Sequence, residues 1–186
     1  MPRPRLPLPS QKYLQDCFNY DPGTGVLRWK HRPRSHFTTD QAFISINARQ
    51  VEKIAGTPHY RKRFNNVVVE LQIAGQTYIA ARIIVKMILD IEPEDADHED
   101  GDATNNKWLN LRPCTHASNV KNKSVYKSNK LGIKGVSYSK WKKGYMVDIQ
   151  NNKIKYQYGP FTTVEEASAV YQKAAEELHG EFARTD

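Results

Sequence analysis

The stretch from Asp97 to Asn119 constrains this chain more than any other part of its sequence. It places an aspartate directly before a histidine, Asp97-His98, and asparagines follow twelve and twenty-one residues after the histidine, at Asn110 and Asn119. Adjacent residues of a strand point to opposite faces, so Asp97 and His98 can serve one site only if the strand ends or bends there. Gly101 favours such a break. We therefore expect these four polar side chains to form one site.

These residue types can hold one divalent metal ion and place a general base beside it. The carboxylate of Asp97 and the amide oxygen of Asn119 are ligands that suit Mg²⁺ or Mn²⁺, with water and phosphate completing the shell. The imidazole of His98 can accept a proton from water if its other nitrogen donates to a fixed acceptor, and the side-chain oxygen of Asn110 is a candidate for that acceptor. Metal-assisted cleavage of a phosphodiester needs these parts, which indicates a DNA-cutting enzyme.

Three other interpretations compete for the same stretch. The run from Asp95 to Asn106 is similar to a calcium-binding loop, but its glycine falls at position seven instead of six and an asparagine takes position twelve, where a glutamate is expected. This spacing disfavours an EF-hand. His98 could be an ordinary surface histidine, and the acidic residues could form a solvated loop, an interpretation that suits Glu92, Glu94 and Asp95.

Positive charge is concentrated in one segment of the chain. The whole chain contains 28 Lys and Arg against 20 Asp and Glu, a net charge of +8. Residues 121–159 hold ten lysines and one acidic residue, so this segment nets +9 and the rest of the chain nets −1. Such a segment is typical of proteins that bind a polyanion through phosphate contacts, and a solvated lysine-rich surface is the alternative.

The cysteine count and the apolar pattern exclude several other classes. Cys17 and Cys114 are the only cysteines and form no C-x-x-C pair, which disfavours a zinc cage or a disulfide framework and predicts reduced thiols in the cytoplasm. No run approaches 18 apolar residues, so no transmembrane span is predicted. The proline-rich start lacks the apolar stretch of a secretory signal.

The pattern along the chain predicts an α+β protein. Helices are expected at residues 10–18, 81–90, 115–122 and 164–178, and strands at 26–30, 67–71, 77–79, 109–113, 135–138, 145–149 and 155–158. Residues 31–50 carry little pattern, and residues 90–102 read as an acid-rich loop. We expect a mobile Pro/Arg arm at 1–9, a β-rich extension at 10–75, a catalytic unit at 76–122, a basic linker at 123–130 and a DNA-binding module at 131–186.

The segment Tyr78–Asn122 closely resembles HNH endonucleases of the phage and intron-encoded homing type, above all in D-H-E-D-G-D-A-T-N-N-K-W-L-N-L-R-P-C-T-H-A-S-N-V-K-N. The resemblance implies a ββα-metal fold. By motif position it makes His98 the general base and Asn110 the residue that orients it. It makes Asp97 and Asn119 the ligands of a single Mg²⁺ or Mn²⁺ ion.

Two further observations bear on this resemblance. Residues Tyr20–Lys30 also look like the opening of such phage enzymes, whose setting is the cytoplasm of an infected bacterium. In the family a histidine usually precedes the arginine that starts the helix, but here Ala81 precedes Arg82. The alternative is therefore a weak or inactive HNH-fold protein that binds DNA. A structural RNA- or ribosome-binding protein would explain the lysines but not the spacing of the polar motif.

The C-terminal segment resembles the plant Apetala-type (ethylene-response-factor) DNA-binding domain. The matching pattern comprises Gly135-Val136, Tyr145-x-Val147-x-Ile149, Gly159-x-Phe161, Glu166-Ala167 and Ala174-Ala175. The resemblance implies a three-stranded sheet that reads the major groove, with a helix packed behind it. For Trp141 and Tyr156, packing in the core or at an edge is the alternative. The implied contacts are Lys134, Tyr138, Lys140, Trp141, Lys142, Lys153 and Lys155.

The partner expected from these observations is double-stranded DNA. Further contacts are predicted for Arg82, Arg112, Lys121, Lys123 and Lys127. The chain has a single Asp-His…Asn…Asn set and no long apolar heptad, so we expect a monomer that nicks one strand at a time.

Overall fold

The computed structural model describes residues 6–62, 65–121, 129, 131–151, 154–180 and 183, apart from the side chains of residues 117, 120 and 121. The chain divides into two compact units, Met1–Thr115 and His116–Asp186. The described residues form helices and four small antiparallel sheets, which confirms the α+β class. No helix among them is long and apolar enough to cross a membrane.

The first unit begins with a short helix and a hairpin. The helix starts after Ser10, whose Oγ caps it by accepting a hydrogen bond from the backbone N–H of Tyr13 at 3.3 Å. The hairpin that follows is called here the N-terminal hairpin. Its second strand was predicted and its first was not. These elements are α1 (Gln11–Cys17), β1 (Phe18–Asp21) and β2 (Val26–Trp29).

Residues 31–50, which carry little sequence pattern, contain a helix that the sequence analysis missed. A short 3-10 helix, Arg34–His36, precedes α2 (Asp40–Gln50). Thr39 caps α2, since its side chain accepts a hydrogen bond from Ala42 N–H at 3.1 Å. The buried residue of α2 is Asn47, so α2 lacks the apolar stripe by which a helix is recognised in a sequence.

A three-stranded sheet and a buried helix complete the frame of the first unit. They are β3 (Thr57–Arg61), β4 (Asn66–Ile73), β5 (Gln76–Ile79) and α3 (Ala80–Leu89), with strand order β3-β4-β5. Ala74 and Gly75 form the tight turn between β4 and β5, where they adopt positive φ angles of 48° and 79°. The strand β3 was missed, since it is largely exposed and shows no alternation of apolar and polar residues.

The polar motif lies on a second hairpin of this unit. Its strands are β6 (Asp95–His98) and β7 (Leu111–Cys114), followed in sequence by the short helix α4 (His116–Lys121). The acid-rich segment predicted as a loop therefore contains a strand. One apolar core runs from Leu8 to Leu111 and includes Leu14, Trp29 and Ile84. Residues of the β-rich extension at 10–75 thus share this core with the motif hairpin.

The second unit holds a three-stranded meander and one long helix, as predicted. The elements after α4 are β8 (Val136–Ser139), β9 (Gly144–Asn151), β10 (Ile154–Phe161) and α5 (Val164–His179), with strand order β10-β9-β8. A capping box between Thr163 and Glu166 starts α5. Its apolar face packs on one side of the sheet, where Tyr171 and Ala175 meet Val147. The predicted linker, residues 123–130, lies outside the described residues except for Asn129.

Candidate active site

The strand β6 carries the aspartate and the histidine of the motif into a buried position. Asp97 stands opposite Arg112, and His98 stands opposite Leu111, in the register of β6 and β7. Asp97 Oδ2 lies 2.6 Å from Arg112 Nη2, and the Asp97 side chain is 4% exposed. A buried carboxylate requires such a partner, because transfer of a lone charge out of water is costly. Arg112, predicted to contact DNA, is thus placed beside Asp97, and its side chain is 16% exposed.

His98 is held by an asparagine that the sequence analysis did not single out. Its Nε2 lies 3.0 Å from Asn106 Oδ1, and both side chains are buried. An amide oxygen can only accept a hydrogen bond, so this contact requires Nε2 to carry the hydrogen. In the neutral ring Nδ1 then carries none and is the nitrogen that can accept a proton.

Asn110, predicted to orient His98 directly, has other partners. Its Oδ1 accepts the backbone N–H of Asp100 at 3.0 Å, and its Nδ2 donates to Asp100 Oδ1 at 3.0 Å and to the Asn105 carbonyl at 2.8 Å. Within the described residues none of these hydrogen bonds reaches His98. The expected contact is therefore corrected: Asn106 faces the imidazole, and Asn110 holds together the segment that carries Asn106.

That segment, residues 99–110, directly follows His98 and is called the histidine loop. The Asp100 carboxylate accepts several of its hydrogen bonds. Asp100 accepts hydrogen bonds from the backbone N–H of Asp102 at 2.8 Å and from Asn105 Nδ2 at 2.6 Å, in addition to Asn110. Burial by itself raises the pKa of Asp100, but these hydrogen bonds outweigh it and lower the pKa overall. Gly101, at φ 76°, donates its N–H to the His98 carbonyl at 2.9 Å, and this is the break predicted after His98.

The N-terminal hairpin packs against the histidine loop. Tyr20 Oη donates to the Asn106 carbonyl at 2.7 Å, and Trp108 N–H donates to the Pro22 carbonyl at 3.0 Å. Gly25 lies so close to the loop that an added Cβ would stand 2.5 Å from the Asn106 carbonyl carbon. The sequence analysis missed this contact between distant segments. The signal that pointed to it was the phage-enzyme resemblance of residues Tyr20–Lys30.

Arg82 and Ala81, at the start of α3, are both buried. Arg82 Nε donates to the Pro93 carbonyl at 3.1 Å, and its Nη2 lies 3.0 Å from Glu92 Oε1. The Arg82 side chain is 9% exposed, which corrects the expectation that it touches DNA: it fixes the turn that leads into β6. Ala81 is 1% exposed and belongs to the apolar core of the first unit.

The donor chemistry of the site suits a hard cation held by few protein ligands. Among the residues that the structure describes, no three His, Cys, Asp or Glu side chains are grouped to hold a metal ion. Magnesium is usually bound by one or two carboxylates, with water and substrate phosphate as the other ligands, so Asp97 fits that role. Asn119 lies in α4, in the second unit, and its pairing with Asp97 stays a prediction.

The sheet of the second unit has two different faces. Tyr156 and Phe161 pack against the apolar core between the sheet and α5, which supports core packing for Tyr156. Tyr138 lies on the same side, with its ring 5.2 Å from that of Tyr145, and is 53% exposed. On the opposite face Asp148 Oδ1 lies 2.9 Å from Lys155 Nζ.

The remaining predicted DNA contacts are distributed around this sheet. Trp141 is 86% exposed in the turn between β8 and β9, which excludes core packing for it in the described unit. Lys140 and Lys142 are exposed in the same turn, and Lys134 is half-buried. Lys123, Lys127 and Lys153, with the side chain of Lys121, lie outside the described residues.

Comparison with known proteins gives two relatives. Over 105 residues the chain is 36% identical to a protein of Acanthamoeba polyphaga mimivirus named "uncharacterized HNH endonuclease"; the match takes in 55% of this chain and 54% of that protein. Over 88 residues, 47% of this chain, it is 32% identical to protein 3.8 of Escherichia phage T7 and covers 72% of that protein. The chain belongs to the T7 protein 3.8 family.

This member of the protein 3.8 family spans about half the length of the mimivirus relative. No protein-family model and no solved structure matches it. The name of the mimivirus protein supports an HNH nuclease, whereas no comparison supports an Apetala-type module.

Proposed function

We propose that the chain is a divalent-metal-dependent DNA endonuclease of the HNH type. One observation carries the proposal: at the end of β6, Asp97 and His98 are both buried, and the His98 ring is held through one nitrogen by Asn106 at 3.0 Å. The ββα order of β6, β7 and α4 agrees with this function, as does the name of the mimivirus relative.

In the proposed reaction His98 is the general base. Its Nδ1 takes a proton from the water that attacks phosphorus, a P–O bond of one strand breaks, and the leaving oxygen takes a proton from solvent. Asp97 and Asn119 would hold one Mg²⁺ or Mn²⁺ ion, which supplies stabilisation of the charge that develops on the phosphate oxygens. Arg112 keeps the Asp97 carboxylate in place from the neighbouring strand.

The second unit is proposed to bind the DNA. Among the described residues, Lys140, Lys142, Lys143 and Lys155 are exposed in and around the sheet, and the exposed Trp141 stands between Lys140 and Lys142. Lysines contribute affinity by neutralising phosphates and releasing counterions, without regard to sequence. Site specificity would come from the sheet, used in the manner of an Apetala-type domain.

A monomer that nicks one strand, in the cytoplasm of an infected bacterium, is the form of this activity that we propose. One motif set holds one attacking water in line with one leaving oxygen. Supercoiled plasmid should therefore become open circle first, and linear DNA should follow late. Linear product that forms directly, without open circle, would show two paired sites.

The experiment that tests the function is plasmid cleavage with Mg²⁺ or Mn²⁺ against EDTA, with an RNA hairpin as a competing substrate. Nicking of DNA that requires the metal supports the proposal. Cleavage of the RNA hairpin alone would replace DNA with RNA as the substrate.

A second candidate is a DNA-binding protein that keeps this fold without turnover. The observation that favours it is Ala81, where HNH relatives usually have histidine. Tight DNA binding with no cleavage under either metal would establish it. Because Ala81 lies in the apolar core, Ala81→His is not a useful rescue variant.

A further inference from the structure

Asn106 is held through both its side chain and its backbone. Its Oδ1 faces His98 Nε2, and its carbonyl accepts the Tyr20 hydroxyl at 2.7 Å. Its side chain is 4% exposed, so water cannot easily replace either contact. Asn106 is not one of the four motif residues.

We propose that Asn106 is the positioning residue of His98, and that the N-terminal hairpin holds Asn106 in place for this task. The inference rests on the proposed nuclease function for its effect on turnover. Its effect on the histidine ring stands independently of that function.

The physical reason lies in the two nitrogens of imidazole. A neutral ring can carry its hydrogen on either nitrogen, and the hydrogen bond made by one nitrogen selects the form. With Asn106 Oδ1 fixed opposite Nε2, the hydrogen is kept there and Nδ1 is left as the base. Without that acceptor Nε2 loses the hydrogen bond that favours its N–H form, and both forms of the His98 ring become populated.

Gly25 shows why the hairpin is needed for this arrangement. It has a φ of 77°, and an added Cβ would stand 2.5 Å from Asn106 C, 2.6 Å from Lys107 N and 2.9 Å from Asn106 O. All three are backbone atoms, which cannot swing away as a flexible side chain can. A side chain at this position would therefore push the histidine loop away from the hairpin.

The first test replaces Asn106 in the full-length protein. Asn106→Leu removes the acceptor at similar volume, and Asn106→Asp keeps an oxygen opposite Nε2. The readout is the ¹⁵N spectrum of the imidazoles at alkaline pH, with His98 assigned from the spectrum of His98→Ala. We expect the Nε2–H form in the wild type and in Asn106→Asp, and a mixture in Asn106→Leu.

Plasmid nicking gives the second readout. Asn106→Leu should lower kcat by about 10–100-fold, the usual effect of losing a partner that orients a catalytic ligand, while KM for DNA stays unchanged. Asn106→Asp should recover most of the loss. A general defect in folding would not be rescued by the conservative variant and would not leave KM intact.

The second test replaces the hairpin contacts. Gly25→Ala and Tyr20→Phe should each move His98 toward the mixed form. Gly75→Ala controls for strain at positive φ, since Gly75 has φ 79° and nothing within 4 Å of an added Cβ. Gly23→Ala controls for the same turn, where an added Cβ meets only Asp21 Oδ1 at 3.4 Å.

A wild-type His98 signal in Asn106→Leu overturns the proposal, whatever the activity. A mixed signal there, with the wild-type signal in Asn106→Asp, supports it, even if no variant and no wild-type protein cuts DNA. In that case the nuclease function fails and the positioning role stands. If Gly25→Ala does not fold, the Asn106 pair and Tyr20→Phe decide the question.

Discussion

The histidine loop of the first unit and the sheet of the second unit use polar residues in opposite ways. Around the loop, the His98 imidazole and the amides of Asn106 and Asn110 are buried, and Asp100 is exposed; hydrogen bonds of 2.6–3.0 Å pair His98 with Asn106, and Asp100 with Asn105 and Asn110. On the sheet and its first turn, Lys140, Lys142 and Lys155 are exposed to water, and Lys155 pairs with Asp148 at 2.9 Å. A buried network depends on each member, whereas exposed charges add small and separate contributions.

This difference predicts which single substitutions should have large effects. Loss of one group in the loop leaves its partner buried without a hydrogen bond, which costs more than the bond itself contributed. Loss of one lysine changes only the number of phosphates that the protein can neutralise. One substitution in the loop should therefore be enough to stop turnover, whereas each lysine substitution should weaken DNA binding only slightly.

The largest effect is expected from His98→Ala. Removal of a general base should slow the chemical step by roughly 10²–10⁴-fold and leave DNA affinity nearly unchanged. Single-turnover nicking and a binding titration measure the two quantities. The control is His59→Ala, because His59 is an exposed histidine of β3. Full turnover without the imidazole would remove His98 from the mechanism.

The next largest effect is expected on DNA affinity, from the triple variant Lys140→Ala, Lys142→Ala and Lys155→Ala. Each lost phosphate contact lowers the log–log salt slope by about 0.9, or about 2.7 for three. Between 50 and 200 mM salt the wild type should then lose about 40-fold more affinity than the variant.

The control for that experiment is Lys12→Ala, Arg49→Ala and Lys53→Ala, which removes the same charge from exposed sites of the first unit. Equal slopes for the two triple variants would show that net charge, and not the sheet, decides binding. The nicking rate at saturating DNA should be unchanged in both, which separates the sheet from the loop.

A smaller effect, on the stability of the fold, is expected when the pH is lowered. Since its hydrogen bonds lower the pKa of Asp100 in the folded state, this group stabilises the fold above the unfolded pKa of about 3.9, and the contribution is lost as pH falls through the folded pKa. Asp100→Asn removes this dependence. Urea unfolding followed from pH 6 downward should show a shallower loss of stability for the variant, and identical pH profiles would contradict the role given to Asp100.

The smallest effect on stability is expected from Trp141→Ala. Because this side chain is 86% exposed, its removal should change the free energy of unfolding by less than about 0.5 kcal/mol. Its DNA affinity should nevertheless fall. A large loss of stability would mean that Trp141 is covered in the folded protein and does not face DNA.

The sequence predicted those elements whose pattern comes from burial on one face. The helices α3 and α5 show apolar spacing because Ile84 and Tyr171 belong to buried stripes. The elements β3 and α2 bury few side chains, so nothing in their composition sets them apart from a loop. The strand β6 was hidden because three of its four buried residues are two acids and a histidine, which patterns of hydropathy assign to solvent.

The candidate site was predicted in its chemistry and not in its contacts. The spacing of Asp97, His98 and Asn110 gave the residue types, because a motif records identity at fixed intervals. Which amide faces the imidazole depends on how the histidine loop turns. That path is set by packing against Tyr20, 86 residues away from Asn106. Contacts of that range leave no periodic signal in a sequence.

The contact between Gly25 and the histidine loop has a consequence for how this polar motif can be moved between proteins. A segment limited to residues 76–122 carries all four motif residues, but it leaves behind the tyrosine, the glycine turn and most of the apolar side chains that pack beneath them. Transplanted alone, it would keep the four side chains and lose the packing that positions them. A functional graft must include the opening hairpin, so the portable part of this protein begins near residue 10 and not at the motif.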